Sequence, residues 1–220
     1  MLKKDNYLHF TDNDIAQKIR AGESAFFELL IRRNNSDLYK IGRSFGFNHH
    51  DTEDMMQETY LSAYLNLSKF ENRSTYKTWF IKIMINHCNK RLKKSSFKNE
   101  LSNDVNNNEL IPVYQHSRNT DTMVLHKELS NIIESAIENI PLDYKLVFTL
   151  RELNGLSVSE TAGLMNLTET NVKVRLNRAK KMLRTQIESM YKPQDIYEFN
   201  LVYCDRIVEN VMNKIRDLDT

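Results

Sequence analysis

Cysteine, proline and glycine are scarce in this chain of 220 residues, at two, three and five. The two cysteines, Cys88 and Cys204, can build neither a disulfide framework nor a Cys-rich zinc site. So few glycines and prolines argue against an all-β protein of many tight turns. Neither G-x-G-x-x-G nor G-x-x-x-x-G-K occurs, so the glycine-rich nucleotide folds lose their signature. No apolar run approaches the ~20 residues needed to cross a bilayer, and membrane insertion is not expected. The start, Met1-Leu2-Lys3-Lys4-Asp5, turns polar at once, unlike a signal peptide. Charge of one sign is missing too: 31 Lys and Arg against 29 Asp and Glu give +2, and the total names no partner. What is present is 40% hydrophobic residues, enough for real cores. The expectation is a cytoplasmic, mostly helical protein.

The distribution of charge says more than its sum. Residues 48–60 carry four acids (Asp51, Glu53, Asp54, Glu58) and no Lys or Arg. Residues 71–100 carry eight bases against two acids, and residues 168–192 seven against two. Residues 193–220 reverse the balance, with three bases against six acids. Between the basic blocks, Ser96 to Asp121 is polar and holds Asn99, Asn103, Asn106, Asn107, Asn108 and Asn119. Such a composition buries too little to order itself and is expected to be a linker. The fold class expected is all-α: an N-terminal helical bundle over 8–95 and a C-terminal helix-turn-helix domain over 122–190, joined by a flexible linker over 96–121 and followed by a helical tail over 191–220. Helices are expected over 12–20 (capped near Asp12), 23–46, 51–67, 76–94, 122–139 and 141–154. Two more follow: a short one opened by the S-x-x-E capping box Ser157-Val158-Ser159-Glu160, and one capped by Thr168 that runs to about Met190.

Three constellations carry chemistry. In 157–188 a short helix, a tight turn and a longer basic helix follow one another. Val172, Leu176, Ala179, Leu183 and Ile187 form the core stripe of the second helix. Its other side holds Thr170, Asn171, Val174, Asn177, Arg178 and Lys181, flanked by Lys173 and Arg175. One side packs while the other offers amide and guanidinium donors, as a helix in the major groove requires. A solvated basic helix in an ordinary bundle has the same division, but turn, capping box and charge together favour DNA. In 51–67, at 100° per residue, Met56, Tyr60, Ala63 and Leu67 share one face, and Asp54, Gln57, Glu58 and Leu61 the opposite one. Like charges one turn apart with an adjoining leucine suit a basic protein partner; a solvated acidic face is the alternative. In 68–94, Trp79, Lys82, Asn86, Lys90 and Lys93 share a face behind the loop Phe70-Glu71-Asn72-Arg73-Ser74-Thr75-Tyr76. A ring among cations and amides suits stacked, extruded bases, and core packing is the competing role of a lone tryptophan. His49-His50-Asp51 with Glu53 and Asp54 also resembles part of a metal-dependent phosphohydrolase site. Its distant ligands are not identifiable among His9, His87, His116 and His126.

In this order, the three constellations resemble the extracytoplasmic-function (ECF) sigma factors of bacterial RNA polymerase, within the sigma-70 family. Glu53-Asp54-Met55-Met56-Gln57-Glu58-Thr59-Tyr60 is similar to the family's E-D-x-x-Q-E-(T/V)-(F/Y). Phe70, Thr78-Trp79-Phe80, Ile83, Asn86 and Arg91 match next, then Leu156-Ser157 through Ala179. Val174 stands where the family commonly has serine. The resemblance implies that Asp54, Gln57, Glu58 and Leu61 bind the clamp helices of the largest subunit of core RNA polymerase. It implies that Phe70, Asn72, Arg73, Ser74, Thr75, Tyr76, Trp79, Lys82, Asn86 and Lys90 open and hold the minus-ten element as melted non-template strand. Thr170, Asn171, Lys173, Val174, Arg175, Asn177, Arg178 and Lys181 would read the minus-thirty-five element as duplex. No cofactor, metal or catalytic residue is implied. An anti-sigma factor is an implied partner, although no residue identifies one. The alternative is a helix-turn-helix repressor or activator that does not hold core polymerase; it leaves the acidic helix and the Trp79 face idle. The tail shows one further pattern, an amphipathic helix of Ile207, Val208, Val211, Met212 and Ile215.

Overall fold

The computed structural model describes residues 10–101, 121–190 and 201–218, and all regular structure among them is helical. Most of the expected linker (102–120) and the first part of the tail (191–200) lie outside the described residues. The helices are α1 (Asp12–Arg20), α2 (Phe27–Ser44), α3 (His49–Leu65), α4 (Tyr76–Leu101), α5 (Asp121–Glu138), α6 (Leu142–Phe148), α7 (Val158–Met165), α8 (Glu169–Met190) and α9 (Leu201–Leu218). Short 3₁₀ turns at Ser24–Phe26 and Leu67–Lys69 precede α2 and follow α3. The chain divides into two units, Met1–Leu183 and Arg184–Thr220, so both sides of the expected linker belong to the first.

Local chemistry explains most of the boundaries. The cap of α1 is Thr11, one residue before the expected Asp12: its hydroxyl accepts from the Asp14 N–H, and the Asp14 carboxylate accepts from the Thr11 N–H at 2.8 Å. α3 starts two residues early because the Asn48 side chain accepts from the Asp51 N–H at 2.8 Å. α4 continues through Leu101 into the segment read as linker, where no glycine or proline stops it. The helix expected over 141–154 is two pieces. α6 ends at Phe148 and a π turn follows over Thr149–Leu153, with the Asn154 N–H donating to the Thr149 carbonyl at 2.9 Å. Gly155, at φ +68, then reverses the chain. The capping box at Ser157 and Glu160 forms as expected, and Asn166 makes the turn in the left-handed region. The Thr168 hydroxyl accepts from the Asn171 N–H at 3.2 Å.

α2, α3 and α4 pack on one another, with α1 against α2. Their core is built on Ile15, Leu30, Leu38, Ile41, Phe80, Ile81, Met84 and Cys88. A smaller cluster of Val147, Ala162 and Val172, with Leu167 and Leu176, holds α6, α7 and α8 together. Leu146, Leu150 and Leu156 belong instead to the first core, so the helix-turn-helix region shares buried surface with the N-terminal bundle. Polar groups close this junction. The Asn154 amide donates to the Asp37 carbonyl (3.1 Å), Lys40 Nζ to the Leu153 carbonyl (3.0 Å), and Thr78 Oγ1 to Glu160 Oε1 (2.8 Å).

Candidate functional site

On α3 the buried face is Thr52, Met55, Thr59, Tyr60 and Ala63; of the stripe Met56, Tyr60, Ala63 and Leu67, all but Met56 are buried, and the two threonines and Met55 join it. The reason is a close helix approach. A Cβ at Gly42 of α2 would lie 2.5 Å from Thr52 Cγ2 and 3.0 Å from Met84 Cε, so only glycine admits Thr52 there. The Thr59 hydroxyl donates to Met84 Sδ at 3.3 Å, which lets a second threonine be buried without an apolar partner face. Met56 is displaced to the edge. There, with Phe27, Ile31, Tyr60, Leu61 and Tyr64, it lines an open groove of about 550 Å³ between α2 and α3.

Gln57, Glu58 and Leu61 are exposed beside this groove, and Asp54 is half-buried. Leu61 and Leu65 are 65% and 75% exposed, an apolar pair standing among acids. Asp54 Oδ2 lies 3.4 Å from His50 Nδ1, and Glu58 Oε2 lies 3.3 Å from His87 Nδ1. Sequence reasoning missed the groove residues Phe27, Ile31 and Tyr64. The available signal was Tyr64 and Leu65, two large apolar side chains outside the buried stripe.

The loop before α4 is braced from beneath. Arg20 Nη2 donates to the carbonyls of Leu67 (3.0 Å) and Phe70 (3.3 Å), a positioning role absent from the sequence reading. Phe70 and Tyr76 are buried and Trp79 is half-buried. Their rings form one cluster: Phe70 and Tyr76 at 4.3 Å between centroids, Phe70 and Trp79 at 4.8 Å, Trp79 and Phe80 at 5.5 Å. These aromatics are thus the floor of the loop, with Trp79 keeping part of its surface outside. Asn72, Arg73, Ser74 and Thr75 are exposed on top of it, and Asn72 takes a left-handed backbone at φ +55. Thr75 also caps α4, its Oγ1 accepting from the Thr78 N–H at 3.1 Å. Lys82, Asn86 and Lys90 extend the exposed face along α4.

On α8, Val172 and Ala179 are fully buried, and Leu176, Leu183 and Ile187 partly. Thr170, Asn171, Lys173, Val174, Asn177, Arg178 and Lys181 are exposed, and Arg175 is half-buried. Arg175 donates to Asp143 Oδ2 at 3.0 Å and Arg178 to the Tyr144 hydroxyl at 3.5 Å, so α6 orients two of the cations. Lys180 pairs with Glu152 at 3.0 Å. At the start of α7, Glu160 is held below its ordinary carboxyl range. The Ser157 N–H donating to it is the main cause, opposed by partial burial and helped by Thr78, the Ser157 hydroxyl and nearby Lys77.

The residues of the hydrolase alternative are not gathered. His49 and His50 each face the carboxylate one turn on, and Asp51 pairs with Arg91 at 3.2 Å. Among the described residues no group of three His, Cys, Asp or Glu is placed to hold a metal ion. None of the described helices is long and apolar enough to cross a membrane.

Comparison with known proteins addresses both halves of the chain. Residues 30–97 match the family model for Sigma-70 region 2, and residues 130–183 that for Sigma-70, region 4. The ECF RNA polymerase sigma-E factor of Haemophilus influenzae is 28% identical over 187 residues, covering 82% of this chain and 97% of that protein. The protein of the same name from Escherichia coli K12 is 27% identical, covering 83% and 97%. Among solved structures, the sigma factor RpoE in complex with the anti-sigma factor NepR from Bartonella quintana superposes with a TM-score of 0.62 at 19% identity, covering 74% of this chain and 96% of that one. CnrH in complex with the cytosolic domain of CnrY gives 0.58 at 21%, covering 81% and 97%. These two likenesses concern the fold alone. With both region models matched in order along one chain and with relatives spanned over nearly their whole length, the chain belongs to the sigma-70 family of RNA polymerase sigma factors, in its extracytoplasmic-function group.

Proposed function

We propose that this sigma factor divides its work among three surfaces. Asp54, Gln57, Glu58 and Leu61 dock on the clamp helices of the largest subunit of core polymerase, with the α2–α3 groove taking apolar side chains beside them. The loop 70–76 and the face of Trp79, Lys82, Asn86 and Lys90 hold the melted non-template strand of the minus-ten element. Thr170, Asn171, Lys173, Val174, Arg175, Asn177, Arg178 and Lys181 read the minus-thirty-five duplex. The observation that carries this reading is that one chain exposes an acidic-apolar helix face, an aromatic-floored polar loop and a basic helix face, in that order. The protein has no reaction of its own; the polymerase performs nucleotidyl transfer.

The junction between the halves bears on how the protein works. Glu160 of α7 accepts from Thr78 in the first turn of α4, a contact that joins the two halves in the free chain. On core polymerase the halves part, so that each reaches its own promoter element. Docking there also makes the second contact intramolecular and raises the combined affinity. The fold shared with the sigma factor RpoE, solved in complex with the anti-sigma factor NepR, supports an inhibitor of that class as a further partner.

The test is transcription from a promoter library by purified core polymerase, with and without this protein, and with the Asp54→Ala/Gln57→Ala variant. Initiation is expected with the wild type and is lost with the variant. Specific duplex binding without polymerase-dependent initiation would favour a free-standing repressor or activator instead.

A further inference from the structure

α8 turns one apolar side chain outward. Val172 and Ala179 are buried and fix which side of the helix faces the core. At 100° per residue Val174 stands about 200° round from Val172, on the side directed away from that core. It is 41% exposed, and among the described residues of α8 it is the one large apolar side chain in that state. Its neighbours one turn back and one turn on are Thr170, Asn171, Asn177 and Arg178, all exposed and all able to hydrogen-bond. Val174 also lies in the second turn of the helix, close behind the Thr168 cap. Base edges are met by the N-terminal part of a recognition helix. Valine is only a middling helix former, so local propensity does not account for it on this face.

We propose that Val174 reads thymine: its methyl groups pack on the C5 methyl of one thymine in the major groove of the minus-thirty-five duplex. This rests on the reading of α8 as the helix that enters that groove. Among the donors and acceptors of the major groove, the thymine methyl is the one apolar group. The residue at the centre of the outward face reaches deepest, and Val174 brings neither donor nor acceptor there. Set against cytosine, it would cover the N4 amino group without accepting from it. Set against a purine, it would cover N7 and the group beside it in the same way. A polar group that loses water and gains no partner is destabilising. Thymine avoids this, because its O4 is left to the amide and guanidinium donors one turn away on Asn171, Asn177 and Arg178.

The minus-thirty-five element is first selected from the promoter library with the holoenzyme. Each thymine in it is then replaced by deoxyuridine, which lacks only the C5 methyl, and holoenzyme affinity is measured by fluorescence competition. At one position deoxyuridine is expected to weaken wild-type binding about three- to fivefold, as one buried methyl does. Holoenzyme with Val174→Ser is expected to bind thymine and deoxyuridine alike at that position, while Val174→Ile keeps the preference. Thermal melts of both variants are expected to overlay those of the wild type, because the side chain lies outside the core, which separates lost readout from lost folding. A wild type indifferent to deoxyuridine at every thymine, or a Val174→Ser variant that keeps the full preference, overturns the proposal. A library that returns no minus-thirty-five preference overturns the reading of α8 itself, and this inference falls with it.

Discussion

At the scale of single residues, two positions carry more than their size indicates. Gly42 is the point where α2 lets Thr52 of α3 come close, with a missing Cβ that would lie 2.5 Å from the threonine methyl. Gly42→Ala should therefore overpack the bundle and lower stability by about 1–3 kcal/mol. A lower urea midpoint at unchanged slope is the expected reading. Glu160 both caps α7 and accepts from Thr78 across the junction. Its folded-state carboxyl sits below its ordinary 4.5, so the stability it adds is fully present above pH 4.5 and is lost as pH falls through the lowered value. The difference in Tm between wild type and Glu160→Gln should hold constant above pH 4.5 and shrink toward zero in acid. The close approach at Gly42 and the Thr78 contact of Glu160 were not legible in sequence. A glycine inside a helical run carries no sign of what approaches it, and the S-x-x-E box shows the cap but not the threonine from 82 positions earlier.

At the scale of elements, α8 was the most legible part of the molecule. Its apolar stripe, its exposed amides and cations, and its Thr168 cap all follow from a 3.6-residue period and contacts three residues long. Two substitutions separate its roles. Asn171→Ala should lose about 1–3 kcal/mol of base discrimination at one position of the minus-thirty-five element. Arg178→Ala should weaken binding to every duplex alike and reduce the salt slope by about one. Fluorescence anisotropy with matched and mismatched duplexes at several salt concentrations checks both. α3 was legible in its acids and in Tyr60, Ala63 and Leu67, but its core face also takes in residues that the stripe left out. Periodicity selects large apolar residues, while the fold buries Thr52 and Thr59 because Gly42 and Met84 receive them. The π turn after α6 was likewise hidden, since it answers to what Leu150 and Asn154 meet on α2 rather than to local propensity.

At the scale of the whole molecule, the junction predicts weak promoter binding by the free protein and tight, salt-sensitive binding by the holoenzyme. Equal affinity in the two states, measured by fluorescence on one promoter duplex, would contradict it. Thr78→Val removes the hydroxyl that joins α4 to Glu160 and should loosen the free chain, seen as faster amide exchange in α7 with little change in holoenzyme transcription. The sequence by itself determined the all-α class, the caps at Ser157 and Thr168, the two-faced character of α8 and the order of the three segments. Each of these rests on residues within about a turn of one another or on the local period of a helix. Only the tertiary structure decided which face of α3 is buried, that Phe70 and Tyr76 lie beneath their loop, and that Leu146, Leu150 and Leu156 join the N-terminal core. Those outcomes depend on surfaces brought together from separations that run from the Gly42 to Thr52 approach up to the Asn154 to Asp37 hydrogen bond, 117 positions apart, and no local pattern encodes the partner that a side chain will meet.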